Sequence, residues 1–558
     1  MSVRQTTAIS GSTVAVPITA GDWPSRQPRR ISWLVVGALL ALMVVSTAVH
    51  LGALQRDLPL QEPDESAFVR RAVHIAATQD PNPHWFGHPG STVIYPLAGI
   101  FRMTDTVFHR GPIVGASPEL TDRFEKDPTP FYVIGRLWAI ALSVGAIPLL
   151  FLVGLRAFNT RVALIAAAIW VVLPDPVHFG RIVRTDSAAV FFGLLSLWLC
   201  LRLLDEPRLR WCVLAGLSVG LAIASRYFMV ALVPCLIAAS IVPHRRLSRS
   251  AVRTTGLALA SAVGGFALST PYFFLDWHTA WSSLQSENEP MVGSGGLTPP
   301  GNMRWYLGTA IPASLTWVLV GFVLAGILVA LWRHRPAQLI LLLFCATFLV
   351  GICASKLHWQ RWVIEILPVL VLFAAGALDT FIQRLTAWAC AVPRAALMRS
   401  AALVAVTAAL VIHPAAELSA VNRRDASPST SGAALSWIQT HIRPGSRVLV
   451  DPATLITKND TRLDVDEEFS PATDTLAGYR RAGFDYVVMN GLRAGRYVAQ
   501  RDRYPRETEF YFEIGCNALL AAGFPGTATR RGAAVRIYDL HERPSQVSAF
   551  CPPERVSS

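Results

Sequence analysis

Charged residues are scarce in this chain. Asp, Glu, Lys and Arg make up 16% of its 558 residues, whereas soluble domains carry about 25%. Together with repeated apolar runs of about 18 residues or more, this scarcity excludes an ordinary soluble protein and indicates a polytopic membrane protein. The formal net charge of +13 does not indicate nucleic-acid binding, because the arginines cluster in short loops between apolar runs, as the positive-inside bias requires. Membrane lipids are therefore expected partners, and nucleic acid is not.

Several other signatures are missing. The eight cysteines show no metal-ligand spacing, and no internal repeat is visible. The polar C-terminal region contains no Gly-rich phosphate loop and no nucleophile motif. The first apolar run lacks a small-residue cleavage site, so we expect a retained anchor rather than a signal peptide. Cys516 and Cys551 can pair if the C-terminal region lies in an oxidising compartment, but the sequence does not show whether they are close enough.

Composition divides the chain into three parts. Residues 1–30 are predicted to be a disordered cytoplasmic tail, residues 31–420 a transmembrane domain, and residues 421–558 a small soluble α/β domain outside the cell membrane. The basic residues before the first run place the N-terminus inside, so residues 54–130 form a long outer segment and residues 272–303 a second outer loop. We predict about eleven spans, at residues 31–53, 131–154, 162–180, 187–204, 211–224, 227–242, 252–271, 305–331, 337–354, 363–380 and 400–418.

Local patterns predict some elements between and after the spans. Residues 64–77 are predicted to form a helix, and residues 91–103 a juxtamembrane or re-entrant helix, because that run is too short to cross a bilayer. Residues 433–442 and 475–482 of the C-terminal domain are predicted to be helices. Strands are predicted at residues 447–450, 486–489 and 534–538.

An acidic pair follows the first span. Asp64 and Glu65 open the helix predicted in the outer segment, and we interpret them as catalytic carboxylates held at the membrane surface. Two other interpretations stay open. The acids can be solvated loop residues, and an acidic pair at a helix start is also favoured by the helix dipole.

Ionisable and aromatic residues gather on the same outer side. Positive charge there opposes the topology bias, and an arginine between two short spans is costly without an anionic partner. Each cation taken alone can also be an interfacial anchor. As a set facing an acidic pair, they predict contacts with the phosphate and sugar of a lipid-linked donor. The candidates are Arg184, Asp186, Arg226, Tyr227, Lys356, His358 and Arg361.

This set suits the displacement of a phosphate from the anomeric carbon of a sugar. Asp64 would accept the proton of the acceptor hydroxyl. Arg226, Lys356 and Arg361 would stabilise the departing phosphate. Glu65 is adjacent to Asp64, so the two cannot face the sugar from opposite sides. A double displacement needs two separately placed carboxylates, and we therefore predict inversion.

The order of the motifs resembles the GT-C superfamily of membrane glycosyltransferases, of the protein O-mannosyltransferase and lipid A aminoarabinose transferase type. The resemblance covers roughly residues 31–420. Phe68 departs from the pattern, because the family usually has a tyrosine after the acidic pair. The matching motifs are Asp64-Glu65, Arg184-Thr185-Asp186, Arg226-Tyr227, the loop 272–303 and the basic-aromatic stretch from Lys356 to Pro368.

The resemblance implies a GT-C fold and a polyprenyl-phosphate donor that carries a hexose or pentose. A lipid, glycan or protein hydroxyl would be the acceptor. No cofactor is expected. Some relatives with lipid pyrophosphate donors need a divalent metal, for which Asp64 and Asp186 would be the ligands here, but we predict no metal.

Three other functions remain open at this point. One is a polytopic transporter or flippase of a lipid-linked or anionic substrate, although the charges lie at span ends and no repeat is found. The second is a polymerase or ligase of surface polysaccharide. The third is a non-catalytic assembly protein whose C-terminal domain does the binding.

Overall fold

The structure is a computed structural model, and it describes residues 32–58, 63–244, 248–287, 297–388, 395–456, 462–468, 471–542 and 550–552. The predicted cytoplasmic tail lies outside these residues. The helices up to residue 426 are α1 Trp33–Leu51, α2 Pro63–Thr78, α3 Ser91–His109, α4 Pro118–Lys126, α5 Thr129–Ala157, α6 Thr160–Val172, α7 Pro174–Phe179, α8 Thr185–Asp205, α9 Leu209–Ser225, α10 Val233–Ile241, α11 Arg249–Ser269, α12 Tyr272–Leu275, α13 Trp277–Glu287, α14 Pro299–Trp305, α15 Ile311–Leu315, α16 Trp317–Arg333, α17 Pro336–Cys353, α18 Leu367–Trp388 and α19 Ala395–Ala426.

Membrane-spanning helices dominate this part of the chain. Among the described residues, eight helices are long and apolar enough to cross a bilayer, or nine if one bent pair counts as a span. Two shorter apolar helices, α6 and α9, accompany them. The chain is thus a multi-pass helical membrane protein, as predicted, while the number of crossings stays a prediction.

Two predicted spans are broken. The span expected at 162–180 is split into α6 and α7 at Leu173. The break falls before Pro174, since proline disfavours helical backbone in the preceding residue. The span expected at 305–331 is a bent pair whose halves meet at 114°. The bend lies at Thr316, which has a positive φ of 70°.

The two outer segments are more helical than the sequence suggests. In the first segment, α2 confirms the helix expected at residues 64–77. α3 covers the helix expected at residues 91–103, and it is not among the helices that are long and apolar enough to cross a bilayer. These helices share an apolar core with α5, formed by residues such as Phe68, Phe101 and Phe131. The second segment, expected as a loop over 272–303, contains α12, α13 and the beginning of α14.

Close packing of α9 against α11 depends on glycine. A Cβ atom at Gly216 would lie 2.3 Å from the carbonyl oxygen of Ala258, and one at Gly220 would lie 2.4 Å from that of Ala262. Small residues let the backbones of membrane helices approach in this way. The contact fixes the C-terminal end of α9, where Arg226 follows.

The C-terminal region forms a five-stranded sheet of β1 Arg447–Val450, β2 Asp464–Glu467, β3 Tyr486–Asn490, β4 Leu519–Phe524 and β5 Val535–Asp539. The strand order is β2-β1-β3-β5-β4. β5 runs antiparallel to its neighbours β3 and β4, and the other four strands share one direction. Cys516 and Cys551 form a disulfide with a Cα–Cα distance of 4.8 Å. The described helices of this region are α20 Thr430–His441, α21 Leu476–Arg481, α22 Gly491–Ala499 and α23 Pro505–Asn517.

Candidate active site

Asp64 lies in the first turn of α2, and its carboxylate joins two distant parts of the chain. One oxygen, Oδ2, accepts hydrogen bonds from Arg184 and, at 3.2 Å, from Arg361. The side chain of Asp64 is 46% exposed, although the guanidinium groups beside it are 6% and 18% exposed. Asp64 is therefore a carboxylate that is held in place yet open to solvent.

A buried ion cluster lies beneath Asp64. The Asp186 carboxylate accepts from Arg184 Nε at 3.1 Å and from Arg226 NH1 at 2.8 Å. Arg226 NH1 also donates to Glu365. Arg184 contacts both Asp64 and Asp186, so it connects the exposed acid with the buried ones.

Each member of the cluster is placed by a helix end. Arg184 occupies the N-cap position of α8, and Asp186 lies in the first turn of that helix. Arg226 joins α9 to a short 3₁₀ helix over Tyr227–Leu232 with extended backbone. Glu365 precedes α18, which begins at Leu367. The ends of spans bring charged groups to one level of the fold, where they neutralise one another.

Glu65, predicted as the second catalytic acid, points into the protein. Both of its carboxylate oxygens accept from Arg136, at 2.9 and 2.6 Å, and Oε1 also accepts from the amide of Val183 at 3.0 Å. The residue is fully buried. This geometry gives Glu65 no open face toward a substrate and suits a positioning residue, because Val183 immediately precedes Arg184.

Three other predicted donor-binding residues, Tyr227, His358 and Lys356, lie outside the ion cluster. The hydroxyl of Tyr227 donates to the carbonyl of Phe86 at 2.8 Å, so it supports the loop after α2. The ring of His358 packs on Trp305 with 4.8 Å between centroids. Its Nδ1 is buried and has no hydrogen-bond partner among the described residues, and burial lowers its pKa. Lys356 is exposed and makes no ion pair within the part of the chain that the structure describes.

Sequence reasoning missed Glu365 and Arg136. Both lie within the predicted spans, where an ionisable residue is costly and indicates a functional or paired group. An ionisable residue inside a predicted span is visible in the sequence and could have identified both. Glu365 is buried, and its carboxylate accepts a hydrogen bond from Arg226.

His88 and Glu287 form a second ionisable pair beside the cluster. Their Nε2 and Oε2 atoms are 3.7 Å apart. Burial lowers the pKa of His88 to about 4 and raises that of Glu287, which Arg361 opposes. The ring of Trp85 lies between Phe68 and His88, at centroid distances of 5.8 and 5.5 Å. The pair therefore connects both outer segments at the rim of the site.

Asp64 and Asp186, the two acids considered as metal ligands, lie among positive charges. Asp64 and Asp186 are each contacted by two guanidinium groups. A metal ion placed between them would meet the three positive charges of Arg184, Arg226 and Arg361, while an anion would be attracted. A different donor set, His74, Asp80 and His84, places its ligand atoms within 4.8 Å of one another on the outer surface.

One protein-family model matches part of the chain. A sequence profile of the dolichyl-phosphate-mannose-protein mannosyltransferase family matches residues 133–271. This range contains Arg184, Asp186 and Arg226. Curated protein sequences give no significant match.

Solved structures share the fold at low sequence identity. The oligosaccharyltransferase of Archaeoglobus fulgidus, tethered with an acceptor peptide, has a TM-score of 0.54 and 12% identity over 88% of this chain and 73% of its own. The same enzyme with an inhibitory peptide and a dolichol-phosphate gives 0.53 and 12% over the same shares. ArnT from Cupriavidus metallidurans in the apo state gives 0.52 and 15% over 93% of this chain and 100% of its own. The chain therefore shares the GT-C fold of these solved proteins.

Proposed function

We propose that the protein is an inverting glycosyltransferase that moves a monosaccharide from a polyprenyl-phosphate donor to an acceptor hydroxyl. The observation that carries this proposal is the half-exposed Asp64 carboxylate, held by Arg184 and Arg361 above the buried Asp186 and Arg226. A fixed base next to fixed cations matches the two needs of the reaction, which are proton removal and phosphate stabilisation.

The proposed step is a single displacement. The acceptor oxygen forms a bond to the anomeric carbon while the bond from that carbon to the phosphate oxygen breaks. The bonding electrons leave with the lipid phosphate, and the hydroxyl proton passes to Asp64. Retention would need a second carboxylate on the opposite face of the sugar. Glu65 is buried against Arg136, and Asp186 is enclosed by arginines, which favours inversion.

Arg184 and Arg361 have two roles in this proposal. Before the donor binds, they hold the Asp64 carboxylate in place through hydrogen bonds. With the donor bound, they offer planar, charge-assisted hydrogen bonds to the phosphate. The Archaeoglobus neighbour is known in complex with a dolichol-phosphate, which supports a lipid phosphate as the donor class.

We place the site on the outer side of the cell membrane. The basic inner loops support this orientation, and the disulfide between Cys516 and Cys551 supports an oxidising compartment for the C-terminal domain. We assign acceptor choice to residues 272–303 and the C-terminal domain. Exchanging that domain between relatives without changing the product would contradict this assignment.

The test uses purified protein and a panel of radiolabelled polyprenyl-phosphate sugars with a membrane extract as the acceptor source. Wild-type protein is compared with Asp64→Asn, and the anomeric configuration of the product is determined by NMR. Asp64-dependent release of polyprenyl phosphate with inversion supports the proposal. A product with retained configuration, or no release from any donor, contradicts it and favours a transporter or a pyrophosphate-linked donor. Full activity in EDTA is expected, because we propose a metal-independent mechanism.

A further inference from the structure

An arginine of the C-terminal domain, Arg531, contacts the membrane domain. Arg531 lies between β4 and β5, and its guanidinium donates to both carboxylate oxygens of Asp57, at 2.8 and 2.5 Å. Its Nε donates to the carbonyl of Ser427 at 2.8 Å. The two charged side chains are only 13% and 5% exposed. A shielded, bidentate pair of this kind is stronger than an ordinary surface ion pair.

Asp57 belongs to the turn that follows α1 and leads toward Asp64. Its backbone has a positive φ of 62°, a conformation that costs free energy for a residue other than glycine. The neighbouring Arg56 donates to Asp425 near the end of α19 at 3.1 Å. Arg56 Nε also donates to Asp57 Oδ2 at 3.2 Å, so the turn is held from the C-terminal side by two linked ion pairs.

Arg136 continues the connection to the site. Its NH1 donates to the carbonyls of Leu54 and Arg56 at 2.9 and 2.6 Å, and its other nitrogens bind Glu65. Glu65 also accepts from the amide of Val183. One buried guanidinium therefore ties the turn to the residues that adjoin Asp64 and Arg184 in the chain.

We infer that Arg531 is a positioning residue for Asp64, and that the C-terminal domain orders the active site through Asp57, the turn at residues 52–58, Arg136 and Glu65. This inference rests on the proposed role of Asp64 as the base. The cations that would bind the phosphate lie on other elements, so loss of the Arg531 contact should displace the base without removing the donor site. A small misplacement of a reacting group is enough to reduce a rate strongly.

The test compares Arg531→Gln, Asp57→Asn and their double variant in the full-length purified protein. We expect each single variant to lower kcat by about tenfold or more, with the Kd for donor unchanged within about twofold. The double variant should be no worse than Asp57→Asn alone, because Asp57→Asn already removes the ion pair with Arg531, together with that between Asp57 and Arg56. Arg531→Lys should recover part of kcat, since it keeps the charge. The matched control is Arg530→Gln, because Arg530 makes no ion pair among the described residues.

Hydrogen exchange provides a readout that does not depend on activity. We expect faster exchange at residues 52–58 and in the first two turns of α2 in Arg531→Gln, with no change in Arg530→Gln. Unchanged exchange there, or faster exchange with unchanged kcat, overturns the inference. The inference is also overturned if both single variants have a lower thermal midpoint and this loss of stability accounts for the whole loss of kcat. If the wild-type protein transfers no sugar, the proposed function fails, and the exchange data still decide whether the domain orders the turn.

Discussion

Asp64 and Arg361 are 297 positions apart in the chain, yet Oδ2 of the first accepts a hydrogen bond of 3.2 Å from NH1 of the second. Arg361 lies just before α18, so the contact closes the membrane domain around the site. The CZ atom of Arg361 also lies 5.0 Å from the ring centroid of Trp359, which fixes its orientation. The pair holds the proposed base and the proposed phosphate ligand next to each other.

Asp64→Asn is expected to lower kcat by about 10²–10⁴-fold, because an amide cannot accept the proton of the acceptor hydroxyl. Insertion into the membrane and donor binding should persist, since the asparagine keeps the shape of the side chain. Rates and donor Kd values of the purified variant check this. Asp122→Asn, which changes an exposed acid on α4, is the control. A variant at Asp64 with the wild-type rate removes it from the role of base.

Arg361→Ala is expected to weaken donor binding or phosphate departure by about tenfold or more, the usual size of a lost charge-assisted hydrogen bond. Lys356→Ala should change the same constants by less than about twofold, because Lys356 lies outside the arginine cluster. Both are measured as KM and kcat for the polyprenyl-phosphate donor. Equal effects of the two substitutions would show that the cluster as observed does not define the phosphate site.

Arg226→Met should destabilise the protein by about 3–5 kcal/mol, because it leaves the buried Glu365 without its positive partner. Combining it with Glu365→Gln should cost less than the sum of the two single changes. The stabilities of the single and double variants are compared by their thermal midpoints in detergent. Arg161→Met, at an exposed arginine of α6, is the control and should leave the midpoint unchanged. Additive losses would mean that Arg226 and Glu365 do not act as a pair.

Cys516→Ser should destabilise the C-terminal domain by about 2–4 kcal/mol, the usual effect of a disulfide that closes a loop of this size. The bridge spans 35 positions. A reductant should lower the midpoint of the wild-type domain and have no effect on the variant. Insensitivity of both proteins to reductant would place the domain in a compartment where the bridge does not form.

Protonation of His88 should contribute to acid destabilisation. Burial lowers its pKa from 6.5 to about 4, so the unfolded chain binds this proton more readily than the folded protein. The stabilisation from neutral His88 is complete above pH 6.5 and is lost as the pH falls toward about 4. The midpoint of wild-type protein should therefore fall more steeply over this window than that of His88→Gln. Parallel pH profiles would contradict this.

Much of the membrane domain follows from local properties of the sequence. A helix that crosses a bilayer needs a long apolar run, and basic residues next to it set the orientation. These are properties of short segments, so the multi-pass architecture and α2 could be predicted. The breaks at Pro174 and Thr316 were missed, because apolar length alone does not report a bend.

The site depended on contacts between segments far apart in the chain. The sequence drew attention to Asp64, Arg184, Asp186, Arg226 and Arg361, and the structure brings them together. It assigned the role of base to Asp64 but also counted the neighbouring Glu65 as catalytic, although Glu65 is buried. Adjacent residues on a helix point about 100° apart, and only the packing of α2 against α5 and Arg136 decides which one is buried.

The sequence by itself determined that this protein is a polytopic membrane protein with a cluster of acids and cations on one side and a small α/β domain at its C-terminal end. Only the tertiary structure decided which charges meet. Glu365 lies in the cluster, Lys356 lies outside it, and Arg531 of the C-terminal domain contacts Asp57. The physical reason is that hydrophobicity and helix length act locally, whereas an ion pair depends on where distant backbone segments lie in space.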